Sequence, residues 1–194
     1  MTFRFRAIQP VHTLALVAAF IAASAPLAAQ APARPFTLAG FGGGISSLGG
    51  DGEFRVTHED GVRLGYDVNP VITLRAVVTS ATRETSGAAW GKHSGTDVSH
   101  RRYAAEIVAG PSGARNVRPY VFGGAGVVTN DPRGDGDANT TGALRAGVGF
   151  EWRPGRSHIG AAFEAGANAY RLNTLGVRRT QYDVAWNGGL ALHW

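Results

Sequence analysis

The 194-residue sequence predicts an all-β fold, a closed eight-stranded antiparallel up-and-down transmembrane β-barrel preceded by a signal peptide. Three observations carry this expectation. Beyond residue 36 the chain alternates apolar with small or polar residues at a period of two, and no stretch keeps a helical period. Charged residues are 17% of the chain, against roughly 25% in soluble domains, while glycine is used 28 times. Connectors between the alternating stretches are short at one end and mostly long at the other, the plan of an outer-membrane barrel.

The N-terminus reads as a targeting segment. Arg4 and Arg6 form a positive n-region, and Leu14 to Ala23 is an apolar core too short to cross a bilayer. Small residues follow, and Ala29 to Ala31 suits cleavage. Residues 1–31 are therefore assigned to the signal and 32–194 to one barrel domain, exported by the Sec machinery.

Eight strands follow. Phe36 to Leu48 and Pro119 to Thr129 read as strands whose glycines leave their facing open. Val62, Leu64 and Tyr66 share a face opposite Arg63, Gly65 and Asp67. Ile72, Leu74, Ala76 and Val78 oppose Thr73 and Arg75. Tyr103, Ala105 and Ile107 oppose Arg102 and Glu106. Leu144, Ala146, Val148, Phe150 and Trp152 oppose Arg145 and Glu151. Ile159, Phe163 and Ala165 oppose Glu164 and Asn168. The last strand sets Tyr182, Trp186, Leu190, Leu192 and Trp194 against Gln181, Asp183 and His193. Asn69-Pro70, Gly110 to Arg118 and Pro154 to Ser157 are the short turns. Gly49 to Asp60, Glu84 to Ser99, Asn130 to Thr141 and Leu172 to Thr180 read as polar loops.

Alternation alone does not say which face is outside, and a soluble lipocalin-like binding barrel is the alternative. The polar face decides for the membrane. Its charges are sparse and balanced in sign, unlike a Lys- and Glu-rich soluble surface. Eight strands leave an interior just wide enough for side chains, so charges inside must pair. The expected set is Arg63, Arg75, Arg102 and Arg145 with Glu106, Glu151, Glu164 and Asp183. Trp152, Tyr170, Trp186 and Trp194 are expected at the rims as an aromatic girdle.

The formal charge of +5 falls to +3 without the signal, and Lys92 is the single lysine. Arginines spread one per strand make no basic stripe, which excludes a nucleic-acid partner. No cysteine is present, which removes disulfides and thiolate chemistry.

Three segments resemble the eight-stranded outer-membrane β-barrel superfamily of OmpA transmembrane domains, OmpX and OmpW-like proteins. They are Val62 to Arg75 (VRLGYDVNPVITLR), Arg118 to Val127 (RPYVFGGAGV), and the final strand with Trp186, Leu190, Leu192 and terminal Trp194. The resemblance implies an outer-membrane location in a Gram-negative envelope. It also implies that the last strand is the signal read by the barrel-assembly machinery. Some members modify lipid A with Ser and His. Here His93-Ser94 and Ser99-His100 fall in one polar segment without that pattern's His-x-Ser strand. Asp131, Asp135, Asp137 and Asn139 resemble a calcium loop broken by Pro132, and read as a turn.

No cofactor or catalytic residue is expected. The residues predict a monomer with a structural or surface-interaction role and a largely plugged interior. Arg83, Lys92, Arg101, Arg171, Arg178 and Arg179, in or beside the loops, are candidates for meeting lipopolysaccharide phosphates. A narrow solute channel and a lipid-modifying enzyme are the alternatives within the membrane reading.

Overall fold

A computed structural model describes residues 34–48, 53–111, 116–134, 136–155 and 157–194. The signal segment and its cleavage position lie outside them. Eight long strands form: β1 (Phe36–Ser47), β3 (Thr57–Asp67), β4 (Ile72–Ser86), β5 (Asp97–Ala109), β6 (Val117–Pro132), β7 (Asn139–Trp152), β8 (Ile159–Thr174) and β9 (Val177–His193). A two-residue strand, β2 (Glu53–Phe54), pairs on the end of β4. Each long strand pairs antiparallel with its sequence neighbour, and β9 pairs with β1 to close the ring. Closure gives the ladder groups partners within the protein, as hydrocarbon demands.

The register is staggered. A hydrogen-bonded row starting at Thr37 runs through Gly65, Arg75, Glu106, Gly124, Arg145, Asn168 and Asp183, and returns to β1 at Ser47. That climb sets the strand tilt and the bore. Gly124 serves the narrow bore directly, because a Cβ there would run into the Ala105 carbonyl and Glu106 of the adjacent strand.

Burial is inverted relative to a soluble protein. Leu190 is 67% exposed and Leu144 65%, whereas Arg83 and Asp183 are fully buried. The apolar face is the outer face, and the charged face lines the bore. The same pattern settles β1 and β6: Ala39, Phe41 and Ile45 point inward, as do Tyr120, Phe122 and Val128.

Seven of the long strands, of 12 to 17 residues, exceed the roughly 9–11 needed to cross a bilayer and β3, of 11, reaches the top of that range, so the wall projects beyond it at the long-loop end. This corrects several loop assignments. Thr57 to Asp60, Asp97 to Ser99, Asn130 to Pro132 and most of Leu172 to Thr180 are strand. The last becomes a two-residue hairpin in which Leu175 (φ 51°) and Gly176 (φ 81°) are both left-handed, the pairing a type I′ turn requires. Three residue assignments change with them. Arg83 lies inside the bore rather than at a loop. Tyr170 points inward and is only 3% exposed, so it is no girdle residue. Trp186 sits mid-strand, paired with Ala165 and Gly44, and not at a rim.

Candidate functional site

The bore is filled in layers. At the short-turn end, His193 lies 2.9 Å from the Glu151 carboxylate and shares a hydrogen bond with Thr37 at 3.1 Å. Arg118 donates to Thr73 at 3.1 Å, and Thr73 donates to Asp67 at 2.5 Å. A cavity of about 50 Å³ remains among these residues.

Above it lies the main charge cluster. Arg75 donates through Nε to Glu106 at 2.9 Å and through Nη1 to Glu164. Arg145 donates to Glu106 at 3.0 Å. Arg63 pairs with Glu164 at 2.9 Å and also donates to Asn187. Tyr120 donates its hydroxyl to Glu164 at 2.9 Å. The guanidiniums lie over rings: Arg63 is 3.8 Å from the Phe41 centroid and Arg145 4.6 Å from Phe122. Such stacking holds a desolvated cation that two carboxylates alone would leave partly unpaired.

Higher still, Arg102 donates to Asn168 at 2.9 Å and faces Glu59 at 3.5 Å, while Thr79 donates to Glu59. Arg83 grips Asp183 with both terminal nitrogens at 2.8 and 3.1 Å, and also donates to Ser47. A fork on a carboxylate is the strongest geometry available to an ion pair. The long-loop end is then capped by an apolar cluster of Phe54, Trp90, Val98, Val128, Tyr170 and Leu172. The 3₁₀ turn Ala88–His93 delivers Trp90 onto Phe54, their centroids 5.3 Å apart.

Of the interior set expected from sequence, Arg63, Arg75, Arg145, Glu106 and Glu164 meet in one cluster. Arg102 goes instead to Glu59, Asp183 to Arg83, and Glu151 to His193. Sequence reasoning missed Glu59 and Arg83. Glu59 hides in His58-Glu59-Asp60, which reads as loop, yet its odd position continues the inward register of Arg63 and Asp67. Arg83 likewise continues the odd positions of β4 after Arg75 and Thr79.

The rim residues separate. Arg101, Arg171 and Arg178 are exposed on outer faces of β5, β8 and β9, and Lys92 is exposed in the 3₁₀ turn. Arg179 leans inward, half-buried, and donates to Gln181 at 2.5 Å. Arg171 and Arg178 border an outer depression of about 330 Å³ with Thr140, Thr141 and Asn173, and Arg178 donates to Asn173 at 3.1 Å. Ser94 is exposed and half-buried His93 precedes it. Thr85 holds the His93 carbonyl, and no side-chain bond joins Ser94 to His93 among the described residues.

A family model for the outer membrane protein beta-barrel domain matches residues 14–190. The chain belongs to that family. The fold agrees with solved structures at low identity. Neisserial surface protein A (NspA) superposes with a TM-score of 0.66 at 11% identity, covering 82% of this chain and 97% of that one. OprG from Pseudomonas aeruginosa gives 0.55 at 14% identity, covering 83% and 97%. Ail, the attachment invasion locus protein of Yersinia pestis, gives 0.50 at 14% identity, covering 83% and 99%. No curated protein matches in sequence. The protein is an integral outer-membrane barrel of the Gram-negative envelope. By the plan of such barrels its short-turn end is periplasmic and its long-loop end extracellular.

Proposed function

We propose that this outer-membrane barrel is a closed, monomeric, non-enzymatic protein with a structural or surface-interaction role, acting at its extracellular edge on the lipopolysaccharide layer. The occluded bore carries this reading. Ion pairs fill its middle, the Phe54–Trp90 cluster covers its extracellular mouth, and the periplasmic cavity of about 50 Å³ ends against Arg63 and Arg75 of the charge cluster. Planar-bilayer recording of the purified protein tests it. The expected trace has no unitary steps; stable, reproducible steps would replace this reading with a narrow channel.

The surface partner follows from charge and place. Arg101, Arg171 and Arg178 project outward where the apolar belt ends, and Arg recognises phosphate well. Exposed pairs contribute about 0.2–1 kcal/mol each, so Arg171→Ala with Arg178→Ala is expected to weaken lipid A binding several-fold. Unchanged binding contradicts this contact. Mutation of His93 or Ser94 is expected to leave lipid A mass unaltered. The outward Trp186, Leu190 and Leu192 of β9, with Trp194 just after it, are read as the assembly signal, available before β9 joins β1.

A further inference from the structure

The lipid-facing wall is not uniform. A groove of about 570 Å³ crosses β1, β9, β8 and β7. Its floor is Gly42 and Gly188, register partners whose missing side chains leave backbone at the bottom. One bank is Phe163 and Phe150, stacked at 5.2 Å. The other is Trp186, whose ring lies over Gly44.

The groove ends against β3 at a polar pair. Gly42 is also the register partner of Asp60, and the His58 ring bonds the Asp60 carboxylate at 2.8 Å. A Cβ on Gly42 would stand 3.1 Å from Asp60 Oδ1 and 3.2 Å from the His58 ring, so the pair overhangs the groove end. Both side chains are exposed, at 66% and 71%. They stand where the outer face of β3 changes from Val62, Leu64 and Tyr66 to polar residues. On the outer faces of β4 and β5 the same change falls between Val78 and Ser80 and between Tyr103 and Arg101. That line is the outer-leaflet interface.

We infer that this wall is a binding site for one membrane lipid, with an acyl chain in the glycine-floored groove and a hydrogen-bond-donating head group, amine or hydroxyl, on Asp60. Within hydrocarbon no hydrophobic force favours one apolar surface over another. The chain is retained by dispersion against rings and backbone, which requires close fit. The head group supplies selectivity. Asp60 has lone pairs beyond the one His58 uses, and a carboxylate at an interface gains from a cationic or hydroxyl donor. This site lies apart from the arginine edge, so it stands or falls separately from the lipid A contact.

Native mass spectrometry of the full barrel in detergent tests it, with phosphatidylethanolamine as donor-bearing probe and phosphatidylcholine as a probe lacking head-group donors. Wild type is expected to keep a single phosphatidylethanolamine, about tenfold tighter than phosphatidylcholine, the value of one charge-assisted hydrogen bond. Gly188→Leu fills the floor and is expected to lose both adducts. Its new Cβ sits 3.0 Å from the Phe163 ring, a side chain that can move, and a heat-shift gel checks folding. Asp60→Asn, on an exposed side chain, is expected to erase the preference while retaining the chain-dependent adduct. Equal, unsaturable adducts of both lipids, wild-type retention by folded Gly188→Leu, or a dimer in place of a lipid adduct would each overturn the proposal.

Discussion

Replacing Glu164 with Gln removes the acid on which three guanidiniums converge. Its carboxylate is wholly buried and faces Arg63 at 2.9 Å, Arg145 at 3.6 Å, Arg75, and the Tyr120 hydroxyl. Arg75 and Arg145 retain Glu106 after the change, but Arg63 loses its carboxylate and keeps the Asn187 amide and the Phe41 ring, neither of them an anion. The variant therefore strands one buried cation, and breaking a buried pair costs about 3–5 kcal/mol. With a urea m-value of about 2–3 kcal/mol/M, the unfolding midpoint falls by about 1–2.5 M. Refolded barrel in vesicles can be titrated with urea and the folded fraction read as the heat-shifted band. Arg63→Met added to Glu164→Gln is expected to recover part of the loss, because the two changes share one interaction. Glu151→Gln is the internal comparison. That carboxylate meets His193 near the periplasmic rim and keeps 13% exposure, and Glu151→Gln leaves no arginine without its acid, so its loss is smaller, about 1–3 kcal/mol. A Glu164→Gln cost no larger than that of Glu151→Gln, or strict additivity with Arg63→Met, refutes the account of the cluster.

Outer-face substitutions probe the facing. Leu190→Arg and Phe163→Arg are each expected to cost about 2–4 kcal/mol where they lie near the midplane, measured by the same titration; tolerance of both contradicts a lipid-facing wall. Trp90→Ala removes the largest part of the extracellular cap. It is expected to leave the heat-shifted barrel intact while exposing residues 87–95 to protease, since the cap rests on strand ends above the belt; loss of the folded band would mean that the cap carries the barrel.

Much of this architecture was legible because lipid-facing strands obey a strict period. Leu144, Val148 and Phe150 against Arg145 and Glu151 state the facing of β7 without ambiguity. Glycine erased that signal in Phe36 to Leu48, since Gly42 and Gly43 look alike yet alternate between the two faces, Gly43 being the register partner of the inward, buried Asn187. The strand extensions beyond the bilayer were hidden for another reason. Above the membrane the outer face of a strand meets water instead of lipid and turns polar, so Thr57 to Asp60 and Asn130 to Pro132 lose the apolar-out alternation and read as loop. Arg83 and Tyr170 were misplaced by the same effect, because their outward neighbours Thr82 and Arg171 are polar too. Which arginine meets which acid was not legible at all. Partners across the bore, such as Arg75 with Glu164 or Arg83 with Asp183, lie on strands far apart around the ring, and only the stagger brings them level.

Cysteine accessibility tests the central claim, a wall apolar outside and a bore closed to water, most directly. The chain has no native cysteine, and alanines on both faces accept the change with little volume. Ala146 and Ala165 face lipid, whereas Ala81 and Ala185 are buried in the bore. In vesicles, Ala146→Cys and Ala165→Cys are expected to react with a lipid-soluble maleimide and not with a charged one, and Ala81→Cys and Ala185→Cys with neither. Reaction of the bore cysteines with the charged reagent would mean an open aqueous channel, and reaction of the wall cysteines with it would mean that the barrel faces water.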